Sequence, residues 1–174
     1  WACPKFPPPA IEFRRKAWHH RTMIRIQELA FDTGAELSAL KVHNHNIGGT
    51  VVFIGSVRDV SDGAQVSAMT LEHYPGMTEK ALQDIDAEAH RRWPLDASLI
   101  VHRHGRLLPG DDIVLVITAS AHRLAAFEAC HFLIDWLKTK APFWKLEEDG
   151  SSARWVDAKA SDDEATAHWG KKSP

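Results

Sequence analysis

Cysteine is almost missing from this chain: 174 residues contain only Cys3 and Cys130. Cys3 lies in a proline-rich leader and Cys130 in the middle of a helical pattern. Two such thiols form neither a disulfide framework nor a zinc site, and they suit a reducing cytoplasm. No apolar run approaches the roughly 20 residues that span a bilayer, and the N-terminal stretch has no secretory apolar core. One-sided charge is lacking as well. The formal net charge is −2, whereas nucleic-acid binders usually carry a strong basic excess. There is no glycine-rich phosphate loop and no serine nucleophile elbow. His43-Asn-His45 and His102-Arg-His104 lack third and fourth ligands at metal-site spacings, so they read as solvated pairs and no metal is expected. No internal repeat is present.

What remains is an ordinary globular composition, 44% hydrophobic and 25% charged, at a length suited to one domain with a sizeable core. Residues 1–22 stand apart. They carry Pro4, Pro7, Pro8 and Pro9 and then the basic run Arg14-Arg15-Lys16. This segment is expected to be a leader or extension outside a domain of residues 23–174, with Met23 opening a strand, MIRIQELAF.

The domain alternates between two periodicities. GGTVVFIGSVRD (48–59) and DIVLVITAS (112–120) are apolar and β-branched, which predicts strands, the second of them central. VSAMTLEHY (66–74) predicts a strand antiparallel to the first, and SLIVHRHGRL (98–107) another. Thr78 is the expected N-cap of a helix that runs to about Trp93 and is ended by Pro94. A second helix follows Ser120 or Ala121 and is stopped by Pro142. Leu124, Phe127, Cys130, Ile134 and Leu137 recur at three- and four-residue intervals along it, which predicts one buried stripe. FWKLEE (143–148) and ARWVDA (153–158) form an expected hairpin around Asp149-Gly150-Ser151. SDDEATAHWG (161–170) is a short helix at most. The order of elements gives an α+β class with a mostly antiparallel sheet in a single domain.

Cations at both ends of the second helix invite a chemical reading. His122 and Arg123 sit in its first turn, where the helix dipole disfavours positive charge unless an anion is bound. An exposed pair in water is the equal alternative. Lys138, in the last turn, complements the dipole and can lay its stem on the apolar stripe. Lys145 follows Phe143-Trp144, and strand alternation puts Phe143 and Lys145 on one face. Desolvation beside aromatics would move this lysine toward acid/base use. Arg58 ends a strand at a turn, where functional groups often sit, but a solvated strand-end arginine is the commoner reading of that position. Cys130 reads as a small core residue. Asp84, Asp86 and Glu88 read as a wet helix face.

GSVRD (55–59), TLEHYPGMTEKAL (70–82), HRHGRLLPGDDIVLV (102–116), SAHRLAAFEACHFLIDWLKTKAPFWKLE (120–147) and RWVDA (154–158) together resemble the catalytic, large subunit of molybdopterin synthase. The likeness runs from about Ile24 to Trp169, and LEHYPGM and LKTKAPFWK are its most specific parts. It implies an α/β hammerhead with an additional antiparallel sheet. It implies sulfur transfer to cyclic pyranopterin monophosphate from the C-terminal Gly-Gly thiocarboxylate of a small ubiquitin-like partner, forming molybdopterin. It also implies a heterotetramer built on a central homodimer, in the cytoplasm, with no resident cofactor. Carried over by motif, Ser56, Val57, Arg58, His122, Arg123, Lys138, Lys145, Leu146 and Glu147 match the substrate pocket, with Lys138 and Lys145 the two key lysines. Ser56 and Leu146 stand where many members carry a basic residue. A non-catalytic scaffold that binds the small subunit or an anionic ligand is the alternative; a phosphate-ester hydrolase lacks both ligands and nucleophile.

Overall fold

The computed structural model describes residues 21–61, 63–156 and 169–170. Most of the expected leader, the end of the second hairpin strand and most of the C-terminal tail therefore lie outside the described residues.

The first sheet has the order β1 (Arg21–Gln27), β6 (Ala97–Arg103), β8 (Asp112–Ser120) and β2 (Gly49–Ser56). Only the β1–β6 pair is parallel; β6–β8 and β8–β2 are antiparallel. The two inner strands are buried on both faces, which is why they read as continuous apolar runs. Leu99, Val101, Leu115 and Ile117 point to one face, where Leu40 of α1 (Thr33–Lys41) completes a core. Ile100 and Val116 point to the other, against α2 (Met77–Arg92) and α3 (Arg123–Thr139).

The second sheet has the order β10 (Ala153–Val156), β9 (Phe143–Glu148), β5 (Ala68–His73) and β7 (Gly105–Leu107), all antiparallel. A short hairpin, β3 (Val60–Ser61) with β4 (Ala64–Gln65), stands beside it. The fold is α+β with mostly antiparallel sheets, as expected.

Several local expectations need correction. VSAMTLEHY does not pair with the strand before it: β5 and β2 belong to different sheets. SLIVHRHGRL is not one strand. It leaves the first sheet at Arg103 and joins the second at Gly105, whose φ of +81° is open to glycine at little cost. The N-cap of α2 is Gly76, with Glu79 Oε2 accepting from its N–H at 2.5 Å. Thr78 is instead buried within the first turn, and its Oγ1 donates to the Tyr74 carbonyl.

The apolar stripe of α3 is also rotated. Leu124 and Phe127 are 66% and 61% exposed, while Ala126, Ala129, Cys130, Leu133 and Leu137 face the sheet. Small alanines let α3 lie close on β8 and β2, so the large residues beside them are turned outward. Asp86 is not on a wet face: it is 1% exposed and accepts from Thr22 Oγ1 of β1 at 2.6 Å. Helix α1 was not foreseen. Its start is set by Asp32, whose side chain accepts from Ala35 N–H.

At the far end of the domain, Trp169 is buried against Trp93 and Phe132 and donates from Nε1 to Asp135 Oδ2 at 2.8 Å. Among the described residues no helix is long and apolar enough to cross a membrane.

Candidate active site

A cavity of about 510 Å³ opens where the two sheets meet the C-terminal end of α3. Strand β2 supplies Phe53, Gly55 and Ser56, and Arg58 follows it. The ladder between β2 and β8 slips between Gly55 and Ser56. Such a bulge ends regular pairing and re-aims the chain beyond it. Here it turns Ser56 Oγ onto Asp112 Oδ1 at 2.7 Å and delivers Arg58 to the cavity.

The last turn of α3 contributes Lys138, and Pro142 stops the helix so that β9 can begin at Phe143. Alternation then places Phe143, Lys145 and Glu147 on the cavity and exposes Trp144 on the other face. The expected pairing of Phe143 with Lys145 on one face therefore holds. The environment of Lys145 is different from expectation. Its Nζ lies 2.6 Å from Glu147 Oε1, so it meets a carboxylate rather than an aromatic wall.

Glu147 is almost wholly buried and is shared. Arg154, directly opposite on β10, approaches its Oε2 at 3.4 Å. Burial pushes the Glu147 carboxyl up, but hydrogen bonds from Lys145 and Ser61, the Lys145 charge and Arg154 outweigh it and hold the group below the usual range. Arg58 and Lys138 have no hydrogen bond or ion pair among the described residues. The cavity thus presents three cations to one carboxylate, and that carboxylate is already engaged. A multiply charged anion fits such a surface.

Of the residues singled out by sequence, Ser56, Arg58, Lys138, Lys145 and Glu147 line this cavity. Val57 does not; it is buried in a small core with Val66 and Leu71, its N–H donating to the Asp111 carbonyl. Leu146 lies between two cavity-facing residues and points away from it. His122 and Arg123 stand at the opposite end of α3, about 22 Å along the axis from Lys138 at 1.5 Å per residue. Both are exposed, and neither side chain has a partner among the described residues.

His102 is the cavity residue that sequence reasoning set aside. It is 8% exposed, not solvated, and its ring stacks on Phe143 with centroids 3.7 Å apart and planes at 15°. Desolvation by burial is the main reason its pKa falls to about 4, reinforced by His73 and His104 and opposed by a bond to the Arg103 backbone. The signal was that His102 directly continues the apolar run Leu99-Ile100-Val101, and an unbroken apolar run marks an interior strand. Cys130 is buried and lies outside the cavity lining. Burial pushes its thiol up to about 11, only partly offset by a bond to Thr118, so it is inert at neutral pH. Among the described residues no cluster of His, Cys, Asp and Glu could hold a metal ion.

Residues 26–140 match the model of the MoaE protein family. The molybdopterin synthase catalytic subunit of Pseudomonas aeruginosa is 57% identical over 146 residues, covering 84% of this chain and 97% of that one. The structure of a MoaE protein from Burkholderia ambifaria superposes with a TM-score of 0.75 at 54% identity, covering 87% of this chain and all of the other. That of molybdopterin synthase from Staphylococcus aureus gives 0.70 at 32% identity, covering 76% of this chain and 95% of the other. The chain belongs to the MoaE family.

Proposed function

We propose that this chain is the catalytic subunit of a molybdopterin synthase, and that the cavity is where sulfur reaches cyclic pyranopterin monophosphate. The sulfur comes as the thiocarboxylate at the C-terminal Gly-Gly of a small ubiquitin-like partner, and the reaction belongs in the cytoplasm. The observation that carries this reading is the pair of uncompensated cations, Arg58 and Lys138, beside a third, Lys145, tied to a buried carboxylate. A chain that receives its sulfur nucleophile from a partner needs no thiol of its own, and Cys130 is sealed in the core.

The residues divide the work by their surroundings. Arg58 is a fixed, always-charged fork suited to phosphate. Lys138 has no competing anion, so it is free to hand a proton to the reacting centre or to contact the carboxyl of the incoming tail. Lys145, oriented by Glu147, holds substrate and stabilises negative charge as it develops. His122 and Arg123 can serve the same site only from a second copy of the chain, which is the arrangement a central homodimer provides. The scaffold alternative rested on Ser56 and Leu146, and it weakens because Leu146 does not face the cavity.

Two measurements test this. With thiocarboxylated partner and pterin substrate, Lys138→Ala lowers turnover roughly a hundredfold or more, the range of a lost proton-transfer group; full activity in that variant refutes the mechanism. Equimolar mixing of Lys138→Ala and Arg123→Ala subunits restores about a quarter of wild-type activity if each two-fold-related site draws on both chains. No recovery on mixing refutes the shared site.

A further inference from the structure

The cavity's side chains are unevenly equipped for hydrogen bonding. Arg58, Lys138 and Lys145 are donors only. The oxygens of Glu147 face Lys145, Arg154 and Ser61, and the Ser56 hydroxyl, which gives its proton to Asp112, keeps only a weak acceptor at the cavity edge. Such a lining satisfies a phosphate but offers little to the N–H groups of a fused nitrogen heterocycle.

His102 supplies what is missing. Its Nδ1 lies 2.8 Å from the carbonyl oxygen of Arg103. A carbonyl only accepts, so Nδ1 must carry the proton, and Nε2 of the neutral ring is left with a lone pair. Nε2 has no hydrogen-bond partner among the described residues, and it is not one of the polar atoms that the fold seals from solvent. Stacking on Phe143 fixes the plane of the ring on the cavity wall. The charges around it are Arg58, Lys138, Lys145 and Glu147 on the cavity and His73 and His104 behind, all but one of them able to be cationic.

We infer that His102 is a specificity residue for the heterocyclic half of the substrate: its Nε2 accepts a hydrogen bond from a ring N–H of the pterin while the cations hold the phosphate. This rests on the cavity being the pterin site proposed above. Neutrality is part of the device, because an imidazolium would present a second N–H where an acceptor is required, and burial keeps the ring neutral at working pH.

The test is steady-state kinetics with pterin as the varied substrate and saturating thiocarboxylated partner. His102→Phe keeps a flat ring against Phe143 and removes the acceptor. It should raise KM for the pterin about tenfold, with kcat altered less than KM, the effect of leaving one substrate donor unpaired. His102→Gln, which retains an acceptor without the stacking, should recover part of that loss. A merely structural histidine would lower the thermal midpoint of both variants without separating KM from kcat. Lys138→Ala run alongside separates the two readings. If it is inactive while His102→Phe keeps a wild-type KM, only the role of His102 falls; if it is active, the cavity assignment itself falls. Should His102→Phe fail to fold, the wild-type chain with ¹⁵N-labelled histidine decides. The Nε2 resonance of His102 must be that of an unprotonated nitrogen at pH 7 and must move on titration with pterin, and an unmoved or protonated Nε2 overturns the inference.

Discussion

Replacing His102 with phenylalanine should flatten the acid side of the stability curve. The folded chain holds this imidazole neutral down to about pH 4, against an ordinary value of 6.5. Between those two values the unfolded chain binds a proton that the folded chain refuses, so the free energy of unfolding falls as acid is added. Above pH 6.5 both states are neutral and the term is constant; below pH 4 both are charged and it is spent. The gap of some two and a half pH units, at about 1.4 kcal/mol each, amounts to about 3 kcal/mol lost across that window. For a domain of ordinary stability that is a large fraction of the total. Urea unfolding followed by tryptophan fluorescence at pH 7, 6, 5 and 4.5 measures it, since Trp93, Trp136 and Trp169 pack in the core and report on the fold. Glu147, whose folded carboxyl is held low, also costs stability as pH falls, but through its own lower range and in both proteins. The quantity to read is the wild-type slope minus the variant slope. Parallel curves from pH 7 to 4.5 would refute the claim that burial keeps His102 neutral.

Three further outcomes follow from the same geometry. Glu147→Gln leaves Lys145 and Arg154 without their shared carboxylate and should cost roughly 1–2 kcal/mol, less than a fully buried network because both cations are partly exposed. Chemical denaturation at pH 7 checks it, and an unchanged midpoint contradicts it. Gly48→Ala should be poorly tolerated, since a Cβ there would lie 2.2 Å from the Ala121 carbonyl oxygen. A drop in soluble yield or thermal midpoint, with the turn that carries His122 displaced, is the expected result. Gly105→Ala forces a side chain into a left-handed φ of +81° and should destabilise by about 1 kcal/mol in thermal unfolding without touching the cavity lining.

The elements that sequence revealed are those whose partners are close in the chain or whose faces are uniform. DIVLVITAS is buried on both sides and announces itself, and the 143–148 alternation correctly put Phe143 and Lys145 together. What stayed hidden depends on partners far away. Nothing near residues 98–107 tells that the first half pairs with β1 and β8 while the second pairs with β5. The α3 stripe was misread because intervals of three and four fit two adjacent faces, and only the sheet decides between alanines and the larger Leu124 and Phe127. Arg58, Lys138 and Lys145 were visible as cations, but spacing alone did not bring them together; only the family resemblance put them in one pocket. His102 escaped because its histidine neighbours suggested a wet strand.

His104 alone separates β6, an inner strand of one sheet, from β7, an edge strand of the other. A one-residue link leaves no slack. Sliding one sheet against the other would strain the ladder at its own end, which couples the spacing of the cavity walls to both sheets. Adaptation on binding then falls chiefly to what enters the cavity. A partner's free tail would lose its disorder on threading into a socket that does not close around it, and the strength of its hold would track the stiffness and length of that tail more than any motion of this chain.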